Sequence, residues 1–157
     1  MRGIPKVIDL LNSLLADELA AQNQYLAHYG ALKNWGIDGL AALVKDRAND
    51  ERNHADSLVD RILALEGIPN VAAIGKIEFT VSDVVGQFGF DASAELRAIE
   101  SYNAAISACE AYQDFATAEI LRRIVSEKID HLNEIEGWQD QIGMMGLPAF
   151  LTARIKS

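Results

Sequence analysis

Residues 47–62 read RANDERNHADSLVDRI, and residues 124–139 read IVSEKIDHLNEIEGWQ. The second stretch lies 77 positions after the first, and this offset sets His131 against His54. The same offset pairs Glu18 with Glu95 and Tyr25 with Tyr102. The chain therefore carries two copies of one pattern of Glu, Tyr and His. One position breaks the pattern: Glu51 is answered by Lys128. Glu18 to Glu51 and Glu95 to Lys128 both span 33 residues, so Lys128 is a substitution and not a slip of register.

Around these residues the apolar positions recur at steps of three and four, the period of an amphipathic helix. A first helix is predicted over about residues 6–33, with Val7, Leu11, Leu14, Glu18, Gln22, Tyr25 and Tyr29 on its inner stripe. Trp35 and Gly36 end it, and Asp38 is placed to cap the next. The second runs over about residues 39–66, with Leu40, Leu43, Arg47, Glu51, His54, Leu58, Ile62 and Leu65 inward, and stops at Gly67-Ile68-Pro69. Residues 67–82 have no clear period and read as a long crossover. Ser82 or Asp83 caps a third helix reaching Ala111, with Phe88, Glu95, Ile99, Tyr102, Ile106 and Cys109 inward. After a break near Gln113, a fourth covers about residues 114–144, with Leu121, Ile124, Lys128, His131, Ile135, Trp138 and Ile142 inward. Gly146-Leu147-Pro148 breaks the chain before a short fifth helix over about residues 149–155. Two helical hairpins and a long connection predict an all-α four-helix bundle with one crossover, a single domain over residues 1–157. No alternating strands and no glycine-rich phosphate loop support a sandwich or a nucleotide-binding fold.

A chain of 157 residues, half of them hydrophobic, can bury a sound core. Its net charge of −9 argues against a nucleic-acid partner, which demands a basic face. The lone cysteine, Cys109, has no internal disulfide partner and reads as a reduced core residue. No apolar run reaches membrane-spanning length, and the N-terminal stretch is interrupted by Asp9, Asp17 and Glu18, unlike a signal peptide. A cytoplasmic location is the expectation.

The polar members of the inner stripes carry the chemistry. Glu18, Glu51, His54, Glu95, Lys128 and His131 all fall on otherwise apolar faces, and a buried carboxylate needs a proton, a cation or a metal. Glu51 and His54, three apart, share one helix face. A Glu from each of two helices plus a Glu-x-x-His pair from each of the others is the donor set of a two-metal carboxylate bundle. Taken singly, each such residue reads as a satisfied core group; taken together at matched spacing, Glu18, Glu51, His54, Glu95 and His131 read as a metal centre. Tyr25 and Tyr102 are either core aromatics or hydrogen-bond partners of its carboxylates. His28 lies off the stripe and is expected at the surface.

The chain resembles the bacterioferritins along nearly its whole length. The resemblance rests on Val7-Ile8, Leu11-Asn12, Asn23-Gln24-Tyr25, Asn34-Trp35-Gly36, His54-Ala55-Asp56, Arg61-Ile62-Leu63, Leu65-Glu66-Gly67 with Pro69-Asn70, and Met145-Gly146-Leu147. It implies the ferritin-like fold and a hollow cage of 24 subunits that takes up Fe(II), oxidises it with oxygen or peroxide and stores a ferric mineral. Glu18, Glu51, His54, Glu95 and His131 match the family's di-iron ligands.

Three departures stand out. Arg52 occupies the position of the family's haem-binding methionine, and a guanidinium cannot serve as an axial ligand, so haem is not expected. Lys128 replaces a metal-bridging Glu and brings an ammonium to the iron position, with Glu18, Glu51 and His54 expected to be the better-supported half. Glu127 is then either a substitute ligand or a solvated acid. Asp46 stands where many members carry a His; with Asp50 it either binds iron on the inner wall or is simply solvated. The resemblance thus leaves an iron-storing, iron-oxidising subunit, a structural cage subunit that co-assembles with a competent sister subunit, and a ferritin-like binding protein without a mineral.

Overall fold

Pro5 opens the first helix, where its fixed φ suits the turn and its missing N–H costs no hydrogen bond. The computed structural model describes residues 1–156. Helices α1 (Pro5–Asn34) and α2 (Asp38–Ala64) form one hairpin, and α3 (Val84–Ala111) and α4 (Phe115–Met145) form the other. The short α5 (Leu147–Thr152) follows, starting earlier than expected because Pro148 is accepted in its first turn. No strand occurs among the described residues.

Three helix ends use one device. Ile37 N–H reaches Leu32 O, Gly67 N–H reaches Ile62 O, and Asp114 N–H reaches Cys109 O, the six-to-one bonds of a Schellman motif. The left-handed residue at each is Gly36, Glu66 and Gln113, with φ of 77°, 60° and 62°. Gly36 adopts this backbone without cost, whereas the other two do not. Gly67 serves differently: a Cβ there would lie 2.8 Å from Ile8. At the N-termini, Asp83 accepts from Gly86 N–H and Asp114 from Thr117 N–H, as Ser/Thr/Asp/Asn caps do.

Asp38 is not the predicted cap. It is the first residue of α2, and its N–H and that of Leu40 donate to the carbonyls of Ile155 and Arg154, both at 3.1 Å. The C-terminal tail caps α2. Gly39 makes room for it, since a Cβ there would meet Lys156 O at 2.5 Å and Arg154 O at 2.6 Å.

The apolar stripes collapse into two separate clusters. One, around Leu11, Leu15, Leu58, Ile62, Tyr102, Cys109 and Leu121, fills the end near the hairpin start. The other, around Tyr25, Leu32, Leu40, Phe88, Ile135, Trp138 and Phe150, fills the opposite end, with Phe88 packed edge-on against Phe150 of α5. Each fully buried Leu or Phe contributes about 1.5–3 kcal/mol. Leu43 is not part of either: it is 41 % exposed, because Leu40, Val44 and Arg47 set the inward line of α2 and leave Leu43 on its outer flank.

The crossover lies along α1, held by a row of residues on one helix face. Asn12 bonds Ile68 O and Asn70 N–H, Ala16 O accepts from Gly75 N–H, Gln24 Oε1 accepts from Glu78 N–H, and His28 Nε2 accepts from Thr80 N–H at 3.1 Å. This corrects the surface placement of His28. It is fully buried, and its Nδ1 lies 2.9 Å from Asp91.

Candidate metal centre

Between the two apolar clusters lies a belt of charge. Glu18 on α1, Glu51 on α2, Glu95 on α3 and Lys128 on α4 are all buried, as is His54. The His131 side chain is 11 % exposed. The fold therefore brings together all five predicted ligand residues and the substituted sixth. The 77-residue repeat becomes a two-fold relation in space. Tyr102 donates to Glu18 and Tyr25 to Glu95, both at 2.6 Å. His54 Nε2 meets Glu127 at 2.7 Å, and His131 Nε2 meets Asp50 at 3.0 Å. Asp50 and Glu127 are themselves 77 residues apart. Both tyrosines are thus hydrogen-bond partners of the central carboxylates as well as core aromatics.

Lys128 extends into the middle. Its Nζ lies 2.9 and 3.0 Å from the two oxygens of Glu18 and 2.5 Å from Glu51 Oε2. Glu127 does not replace the missing bridging carboxylate; it sits on the outer side of His54 and is 57 % exposed. Asp50 is engaged by His131 rather than free beside Asp46, which is exposed. Arg52 is exposed on the outer face of α2.

The charges shift one another. Burial opposes the Lys128 ammonium, but Glu51 and Glu18 outweigh it and hold the group protonated, well above its ordinary range. Burial would raise Glu51, yet Lys128 and the nearby His131 ring carry it well below the ordinary carboxylate range. Burial and the neighbouring Glu51 push Glu18 up to about 7. Burial also opposes imidazolium at His131, but the carboxylates of Glu51 and Glu95 beside it raise it to about 10. His54 is raised as well, against burial, by Glu18. Protons on these groups balance the centre when no metal is bound.

Two approaches reach the belt. A cavity of about 230 Å³ enters between α1 and α3, with Asp17, Lys76 and Arg97 at its rim and Glu95, Tyr102 and Lys128 at its floor. The seam between α2 and α4 is thin, and a groove of about 540 Å³ runs along it past Asp50, His54 and Glu127.

A ferritin-like domain model matches residues 8–145, a span that takes in all of the four long helices except the first three residues of α1. Among curated proteins, the chain is 35 % identical over 146 residues to the bacterioferritin of Mycobacterium leprae (strain TN), covering 93 % of this chain and 89 % of that one. This chain belongs to the bacterioferritin family. It is also 34 % identical to bacterioferritin BfrA of Mycobacterium tuberculosis (strain ATCC 25618 / H37Rv), over 93 % of this chain and 91 % of the relative. With the bacterioferritin of Streptomyces coelicolor (strain ATCC BAA-471 / A3(2) / M145) it shares 33 % identity over 99 % of this chain and 93 % of the relative. As a bacterioferritin-family bundle it carries the carboxylate–histidine belt at mid-height, with an ammonium inside it.

Sequence reasoning gave two participants other roles. Asp50 and Glu127 clamp the outer nitrogens of the two histidines, and their common 77-residue offset was the available signal. Arg47 was placed inward, but its role emerges only in space: it lies between the Tyr25 and Trp138 rings, 5.5 and 4.9 Å from their centroids, and pairs with Glu134.

Proposed function

We propose that the chain is an iron-storage cage subunit that contributes shell and mineral-holding surface and does not itself oxidise Fe(II) in pairs. The observation that carries this is Lys128 Nζ, seated on both oxygens of Glu18 and on Glu51. An ammonium there takes the ligand oxygens a first iron needs and adds a positive charge where two irons already repel. Oxidation by oxygen or peroxide is then supplied by a sister bacterioferritin subunit in the same shell. Self-assembly is supported by large apolar side chains that one subunit leaves exposed: Ile68 at 83 %, Val71 at 63 %, Leu26 at 59 %, Leu63 at 56 % and Phe79 at 53 %. Surface of this kind is covered in closed symmetric assemblies. A cytoplasmic location completes the reading, and cages of this chain alone are expected to be haem-free, because Arg52 stands at the sequence position of the family's axial methionine.

The test is Fe(II) oxidation followed optically in cages of this chain alone and in cages formed with a competent bacterioferritin subunit. Slow oxidation alone and fast mineral loading in the mixed shell are expected. A second reading, a weakened but working two-iron oxidase, is favoured by the five retained ligand positions and the intact Asp50 and Glu127 clamps. A fast burst consuming two Fe(II) per subunit in the homo-oligomer would decide for it.

A further inference from the structure

We infer that the centre binds a single divalent cation, on Glu51, Glu95 and His131, with the Lys128 ammonium standing as the second positive charge. This deepens the reading above and rests on its premise that Lys128 stays inside the belt. The half expected from sequence to be the stronger, Glu18, Glu51 and His54, is the half that Lys128 closes. Both oxygens of Glu18 face the ammonium at 2.9 and 3.0 Å, and Glu51 Oε2 faces it at 2.5 Å.

The other half stays open. Lys128 holds only Oε2 of Glu51, and Glu51 Oε1 is buried with no hydrogen-bond partner. Glu95 Oε1 accepts the Tyr25 hydroxyl, and Glu95 Oε2 is likewise buried and unpartnered. His131 Nδ1 lies 3.3 Å from Glu51 Oε1 and 3.3 Å from Glu95 Oε1. Donor atoms around a small divalent cation with bonds of about 2.0–2.2 Å are themselves about 3–3.5 Å apart. His131 Nδ1 already stands at that spacing from both glutamates, and one ligand atom from each of the three side chains lies within 4.8 Å of the other two. Asp50 is a positioning residue: by taking the His131 Nε2 proton it leaves Nδ1 as the ring nitrogen that a cation would bind once it displaces the Nδ1 proton.

Charge gives the same stoichiometry. Ionised Glu18, Glu51 and Glu95 against one ammonium leave two formal negative charges, which one divalent cation cancels. Two such cations would leave the buried belt with an uncompensated positive excess, which a low-dielectric interior disfavours. A Glu at position 128 would restore the balance for two. Replacing it by Lys removes two units of negative charge, the charge of one metal ion.

The experiment is a titration of the metal-free cage with Co(II) alone, read by its visible absorption bands and by calorimetry. One Co(II) per subunit is expected in the wild type, and two in Lys128→Glu. His131→Ala and Glu95→Gln should each weaken the wild-type site at least about 100-fold, and Asp50→Asn about 10–100-fold. His54→Ala should leave it within a few-fold. Circular dichroism on each variant identifies any that fails to fold, and the wild-type stoichiometry and His54→Ala then carry the test. Wild-type binding of zero or two Co(II), or a site lost in folded His54→Ala as fully as in His131→Ala, would overturn the inference. Failure of the mixed shell to load mineral, with Co(II) still bound one per subunit, would sink the storage reading and leave this one standing.

Discussion

Glu51 and Lys128 hold equivalent places in the two halves of the repeat, and across the bundle they are each other's partner, with Oε2 and Nζ 2.5 Å apart. The one position that breaks the repeat therefore forms a contact with its own counterpart. The pseudo-two-fold axis that would place two carboxylates face to face places a carboxylate against an ammonium. The centre carries an internal counter-ion.

Removing that counter-ion should make the fold depend on metal. Lys128→Glu gathers four buried carboxylates, and breaking a buried ion pair costs about 3–5 kcal/mol. Urea denaturation in chelator is expected to show that loss, with most of it recovered on adding Co(II). The wild type should lose much less to chelator. Equal chelator sensitivity in the two proteins would mean that Lys128 does not hold the belt together.

The two tyrosines should be energetically alike. Tyr25 and Tyr102 each donate at 2.6 Å to a buried glutamate, and hydrogen bonds to charged groups contribute about 1.5–3 kcal/mol. Tyr25→Phe and Tyr102→Phe should each cost that much in equilibrium unfolding. A loss in one and none in the other would show that the two halves are not equivalent in this respect.

Gly39→Ala should release the C-terminal tail. Its Cβ would meet two backbone carbonyls at 2.5 and 2.6 Å, which cannot turn aside as a side chain can. A cost of about 1–3 kcal/mol is expected, the range for overpacking. Faster amide exchange at Asp38 and Leu40 is the specific readout, because their N–H groups lose the carbonyls of Ile155 and Arg154. Unchanged exchange at both would refute the tail as the cap of α2.

Gln113→Gly should stabilise the protein. Gln113 is exposed, has φ of 62° and ends α3 in the left-handed region that costs a side-chain-bearing residue about 1–2 kcal/mol. Part of that gain is offset by the greater freedom of glycine in the unfolded chain, so a net rise of about 1 kcal/mol is expected. A fall in thermal midpoint would contradict it.

Asp114 should set part of the acid limb of stability. Burial would raise its carboxyl, but Thr117 hydroxyl and N–H, with Arg61, hold it below its ordinary value of 3.8. A depressed carboxylate contributes stability that is present above its unfolded pKa and is lost as pH falls through the folded one. Asp114→Ala should therefore cost about 1–2 kcal/mol at neutral pH, the worth of a lost N-cap. The gap should narrow as pH falls below 3.8. A gap constant with pH would assign the loss to packing instead.

The four helices, their hairpin pairing and the membership of the central belt were legible in the chain. Helical period and a 77-residue offset are local or one-dimensional signals, and Glu18, Glu51, His54, Glu95 and His131 lie on both. His28 was not legible, because periodicity describes one helix and not the crossover that covers its far side. Leu43 was misplaced for a similar reason. A step of three from Leu40 is compatible with an inner stripe, but the neighbouring helices chose the line through Val44 and Arg47.

The sequence by itself determined that two copies of a Glu–Tyr–His pattern face each other and that one copy carries a Lys. Only the tertiary structure decided what that Lys does. Four carbons of flexible side chain let an ammonium reach solvent or core from the same backbone position. Here the belt of Glu18 and Glu51 draws it inward, since a buried carboxylate without a cation is costlier than the ordering of one lysine. The direction of Lys128 then settled which carboxylate oxygens are spoken for and which remain open, a choice made by distances across the bundle that no spacing along the chain encodes.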